Sequence, residues 1–96
     1  MKYVMFQVTF IEGKREEHLK IPVIFPSHLV HSLVASAMLK SIQHHYPGRE
    51  VKPVSAGECY SHDLSRAAGG SSTLNLTADH DDGVTMSTYD FTHGLA

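Results

Sequence analysis

The stretch Leu19-Lys-Ile-Pro-Val-Ile-Phe25, followed by Pro26-Ser27 and then His28 to Tyr46, decides the fold. Its apolar period changes partway along. Leu19, Ile21, Val23 and Phe25 alternate with His18, Lys20 and Pro22, which is the pattern of a half-buried strand. Past Ser27, Val30, Val34, Met38 and Ile42 recur every fourth residue, flanked by Leu33 and Ala37, which is the pattern of an amphipathic helix. Ser27 has the side chain of an N-cap, and Pro47-Gly48 stops the helix. A strand that leads straight into a wide-striped helix predicts a sheet with that helix as its cover.

Upstream, Tyr3 to Phe10 alternates again, with Val4, Phe6, Val8 and Phe10 on one face. Glu12-Gly13-Lys14-Arg15 then reads as a hairpin loop. Pro22 cannot donate to a sheet ladder, so the second strand belongs at an edge or carries a bulge. Downstream, Glu50 to Tyr60 reads as a third strand, with Gly57 marking a bulge or a close backbone approach. Ser61 to Ser72 is polar and reads as loop, with a turn at Gly69-Gly70, and Thr73 to Thr77 reads as a short fourth strand. In the last 19 residues Asp79, Asp81 and Asp82 suit a helix N-terminus and Gly94 its C′ position, although Val84 to Tyr89 has strand propensity. The expected fold is a single α+β domain over residues 1–96. It is a small antiparallel sheet in the order β-β-α-β-β, covered by one main helix, with a closing helix after it.

The chain has 96 residues, of which 42% are hydrophobic and 19% charged, the balance of a folded globule rather than a disordered tail. A net charge of −2 at pH 7 fits neither a basic nucleic-acid binder nor an acidic nucleic-acid mimic. Lys14-Arg15 and Arg49-Lys52 are short basic clusters without interleaved aromatic residues, so no nucleic-acid partner is expected. No apolar run is long enough for a membrane span, and Met1 to Phe10 alternates rather than forming a signal-peptide core. Cys59 is the lone cysteine, which favours a reducing compartment. A soluble, intracellular chain is the expectation.

Eight histidines make histidine the unusual feature of the composition. It is the commonest metal ligand and titrates near neutral pH. His28 and His31 sit three apart at the helix start, a spacing that two metal ligands can use, but their simpler reading is a pair of polar residues beside the stripe. His44 and His45 close the same helix, where the dipole favours cations. His62-Asp63 and His80-Asp81-Asp82 fall at loops and element ends. Brought together, His62, Asp63, His80 and Asp82 would form a mixed nitrogen–oxygen site suited to zinc or another transition metal. The simpler reading is loop chemistry, with aspartates capping a helix. Cys59 beside His62 or His93 lacks a nucleophile motif, and Gly69-Gly70-Ser71-Ser72 lacks the Lys-Ser/Thr of a phosphate loop. No catalytic residue is assigned, and an enzyme is not expected.

Lys20 to Glu58, with Ser72-Thr-Leu-Asn-Leu76 and the Thr92-His-Gly-Leu95 ending, resembles small uncharacterised proteins encoded by bacteriophages and prophages. The resemblance implies an accessory protein that binds a host or phage protein or a small signalling ligand, some such proteins disarming host defence systems. It assigns no residue a role. Beside this expected binding function, with a homo-oligomer as one form of it, stand a metal-binding domain with the His/Asp site and a structural or assembly component of a phage particle.

Overall fold

The structure, a computed structural model, describes residues 1–91. Strands β1 (Lys2–Glu12) and β2 (Arg15–Phe25) form a hairpin, helix α1 (His31–His45) follows, and β3 (Glu50–Tyr60) and β4 (Asp63–Ala68) complete the main sheet. Two-residue strands β5 (Gly70–Ser71) and β6 (Leu76–Thr77) make a second sheet, and α2 (Asp82–Thr88) comes last. The main sheet is antiparallel in the order β2-β1-β3-β4, so α1 carries the chain from β2 across β1 to β3. The fold is α+β, as the sequence pattern predicts.

Glu12 pairs with Arg15 around a two-residue loop, and Gly13 has φ +59°. Glycine at the first central position is what a type II′ turn requires. A register shift opposite Met5 and Phe6 leaves Val54 as an extra residue in β3. That bulge changes the side-chain parity. Val51 and Ala56 are an odd number apart, yet both join the cluster under α1. A bulge also adds twist, and the sheet curls.

The core lies on both sides of β1. Val4, Phe6 and Val8 point to α1 and pack with Phe25, Ala35, Ile42, Val51 and Ala56. Tyr3 and Met5 point the other way and pack with Cys59 and Met86 of α2. Leu74 and Leu76 of the small hairpin reach the first cluster and Ala78 the second.

Four sequence expectations need correction. Ser27 is not the cap: α1 begins at His31 with Val30 as N-cap and no side-chain hydrogen bond. The buried stripe is accordingly rotated, with His31, Ala35 and Ile42 inside while Leu33 and Ala37 are exposed. The fourth strand of the sheet is Asp63–Ala68, inside the supposed polar loop, where alternation without β-branched residues hid it. Leu74 and Asn75 form the turn of the β5–β6 hairpin rather than a strand; Asn75 has φ +54° and the Ser71 Oγ accepts from the Leu74 N–H at 3.2 Å. The closing helix is present as α2, whereas Gly94 and His93 lie outside the described residues.

Gly57 is indeed a place of close approach. A Cβ there would collide with the Ala68 carbonyl oxygen of β4. Gly83 plays the same part in α2, where a Cβ would run into the Ser65 backbone. No helix among the described residues is long and apolar enough to cross a membrane.

Candidate functional site

The polar groups divide into a buried set that holds the fold and an exposed set available to solvent. Asp82, fully buried at the start of α2, is the centre of the buried set. Its Oδ2 accepts from the Tyr3 phenol at 2.5 Å and from the Asp79 N–H at 2.9 Å. Its Oδ1 has no hydrogen-bond partner among the described residues. Burial, and next the adjacent Asp82 carboxylate, push the Tyr3 phenol far above its ordinary value, so it stays protonated. The arrangement pins the α2 N-terminus to β1 across 79 positions of sequence.

His31 is the second buried polar group, 6% exposed. Its ring meets Phe25 edge-on at 5.3 Å, and Nε2 lies 3.1 Å from the Gly57 carbonyl oxygen. A carbonyl only accepts, so Nε2 carries the proton. The contact ties the first turn of α1 to β3. The sequence signal was present in the i, i+4, i+7, i+11 run His31–Ala35–Met38–Ile42, which a helix beginning at His28 with Val30 in its stripe obscures.

The proposed metal ligands are dispersed in role. His62 occupies the tip of the β3–β4 turn and is exposed, its ring 5.8 Å from that of Tyr60. Asp63 Oδ1 accepts from the Ser65 hydroxyl at 2.5 Å and from its N–H at 3.2 Å. The Ser65 hydroxyl is the main cause that lowers the Asp63 carboxyl below its ordinary value. His80 is exposed between the carboxylates of Asp79 and Asp81, each at 3.2 Å. Asp82 turns inward to Tyr3. Among the described residues, the group of three with ligand atoms within 4.8 Å of one another is Asp79, His80 and Asp81; it includes neither His62 nor Asp63. Asp79 also accepts the Asp81 N–H at 3.1 Å, the first cause of its lowered carboxyl, with His80 and Lys20 adding to it. These bonds shape the turn that enters α2.

Cys59 is buried, and burial raises its thiol against the opposing pull of the N-terminal ammonium. A thiol so held is a poor nucleophile. Its backbone serves instead: the Cys59 N–H donates to the Met1 carbonyl at 2.9 Å, and the Met1 ammonium donates back to the Cys59 carbonyl at 3.2 Å.

The remaining candidate is an apolar shoulder at the start of α1. Leu33 is 70% exposed, and Leu29 and Val30, just outside the first turn, are 41% and 40% exposed. Lys2 donates to the Leu29 carbonyl at 3.0 Å and holds this segment against β1. The first turn of α1 contains no acidic residue, and its N-cap Val30 makes no side-chain hydrogen bond, so no cap offsets the positive dipole end of the helix there. The shoulder is not legible in the sequence, where the four-residue period places Val30 and Leu33 in the core. Comparison with protein-family models, curated proteins and solved structures gives no match to this chain.

Proposed function

We propose that this chain is a non-enzymatic binding protein that docks on a protein partner through the shoulder formed by Leu29, Val30 and Leu33. The observation that carries the reading is the outward placement of these three apolar side chains within five positions of sequence. Apolar groups gathered at one exposed place are the mark of an interaction surface. The partner that fits is an apolar groove with an acidic rim. The groove covers Leu33, and a rim carboxylate meets the uncapped first turn of α1 and the Lys2 ammonium. The buried polar groups support the same reading, because Asp82 and His31 are committed to Tyr3 and Gly57 and are withdrawn from any substrate.

One specific version is a phage-encoded accessory protein that restrains a protein of host defence. It rests on the resemblance of Lys20 to Glu58 and on the size of the domain. The test is capture from a bacterial lysate on immobilised full-length chain, with Leu33→Asp as control. A protein that binds the native chain, carries an acid-rimmed apolar groove and is lost with Leu33→Asp supports the reading. Leu33 is exposed, so the variant keeps its thermal midpoint. No captured protein, or capture indifferent to Leu33→Asp, overturns it. Native mass spectrometry of the same preparation separates this reading from sequestration of a small ligand, which would appear as added mass.

A further inference from the structure

Strand β2 is an edge of the main sheet, and its outer side has no strand partner among the described residues. The hairpin settles which backbone groups face outward. A two-residue turn closes with a hydrogen bond between its flanking residues, here Glu12 and Arg15, and hydrogen-bonded pairs then alternate along the ladder. Odd-numbered residues of β2 therefore bond inward to β1, while Glu16, His18, Lys20 and Pro22 present their backbone outward. Pro22 has no N–H to present, and it is itself buried. Tyr89 and Ile21 line one cavity at the same end. The open part of the edge thus runs from Arg15 to Lys20, and Arg15 to Leu19 are all exposed.

This short edge is complementary to itself. We infer that two copies of the chain pair antiparallel along β2 about a two-fold axis at His18, joining their sheets into one. In that register Glu16 of each copy lies opposite Lys20 of the other, and the two His18 residues face across the axis. All three pairs are hydrogen-bonded ones, because all three residues turn their N–H and C=O outward. The oppositely charged side chains share one face of the joined sheet, as cross-strand pairs should. On the other face, Leu19 of each copy gains the second Leu19 as a diagonal neighbour.

Other axes fail on the same residues. An axis at Glu16, Glu17 or Lys20 sets that charge against its own copy. An axis at Leu19 places His18 against Lys20 and sets Glu16 opposite Pro22, where half the hydrogen bonding is missing. Pro22 also ends the pairing on either side of His18, so the contact closes as a dimer and does not run on into a longer sheet.

The test is sedimentation equilibrium of the full chain over a range of concentrations. So short an interface predicts a dimer with a Kd of about 10–100 μM. Glu16→Lys and Lys20→Glu each turn both attractive pairs into repulsive ones and weaken the dimer by about tenfold or more. Mixing the two single variants restores association. The introduced lysine of one chain then meets the introduced glutamate of the other, and at the opposite end the native Lys20 of the first chain meets the native Glu16 of the second. Recovery on mixing requires two folded chains, so misfolding cannot imitate it. A chain that stays monomeric at about 1 mM overturns the proposal. So does a dimer indifferent to either reversal, or a pair of variants that does not associate on mixing. The Leu33→Asp variant dimerises as the native chain does, which separates this contact from the shoulder at α1.

Discussion

The two faces of β1 are sealed by different physics. Toward α1, Val4, Phe6 and Val8 meet an apolar helix stripe with Ala35 and Ile42, and His31 is the polar member of that contact. Toward α2, Tyr3 and Met5 meet Met86 and Cys59, but the short helix of seven residues is held by a fully buried carboxylate, a phenol and a turn N–H. A helix of fifteen residues can be fixed by area alone. A two-turn helix has too little apolar surface for that and too little intrinsic stability, so it needs a directional bond to place it. The cost appears at the Asp82 Oδ1, which is buried with no partner among the described residues. The long-helix face resembles a generic core, and the short-helix face is a pinned joint.

The sharpest way to break the α1 face is to remove volume. Phe6 is fully buried between α1 and its strand neighbours Ile21 and Pro53. Phe6→Ala should cost about 4 kcal/mol, by lost transfer energy together with the cavity. A chemical-denaturation midpoint measures it, and the loss should appear at every backbone amide of the main sheet, since the whole domain loosens. The α2 face should break differently. Asp82→Ala leaves the Tyr3 phenol and the Asp79 N–H without their acceptor in the interior, a cost of about 2–3 kcal/mol. Hydrogen exchange should then quicken in α2 and at the start of β1, while the centre of the β1–β2 hairpin keeps its protection. Uniform loss of protection with Asp82→Ala would show that the two faces are one cooperative unit after all.

The two faces also differ in how far the sequence reveals them. On the α1 side the information is periodic and local. Val4, Phe6 and Val8 alternate, Val34, Met38 and Ile42 recur every fourth residue, and the cover follows the hairpin directly. What local pattern leaves open is rotational phase, which is why His31 and Leu33 exchange places between expectation and structure. One buried histidine with a carbonyl partner outweighs one leucine left in solvent, because the carbonyl acceptor and the Phe25 edge are supplied by elements distant in sequence. On the α2 side almost nothing is local. Asp82 stands at the end of the run Asp79-His80-Asp81 and reads as a metal ligand or a cap. Its actual partner is Tyr3, at the opposite end of the chain. Gly83 has no visible reason until β4 lies against it, and β4 itself carries no strand-forming composition. The apolar shoulder was hidden by the same error of phase that hid His31.

The finest distinction between the faces is their response to alkali. Tyr3→Phe keeps the ring and removes only the hydroxyl, so at neutral pH it should cost about 1 kcal/mol, the worth of one hydrogen bond. The native phenol titrates at about 10 when the chain is unfolded and far higher when folded. A group whose folded value is raised contributes stability in full below its unfolded value and loses that contribution as pH rises toward the folded one. Native stability should therefore fall above about pH 10 by about 1.4 kcal/mol per pH unit on account of Tyr3 alone. Tyr89, raised mainly by burial, adds a separate fall that is common to both chains. The Phe variant lacks the Tyr3 slope. Its deficit should shrink above pH 10 and vanish at about pH 11, where the two unfolding curves cross. Parallel curves through that range would mean that the phenol ionises as readily in the folded chain as in the unfolded one. Asp82 would then be holding α2 through the Asp79 N–H alone. A crossing locates the pin at the Tyr3 hydroxyl, on the α2 face of β1.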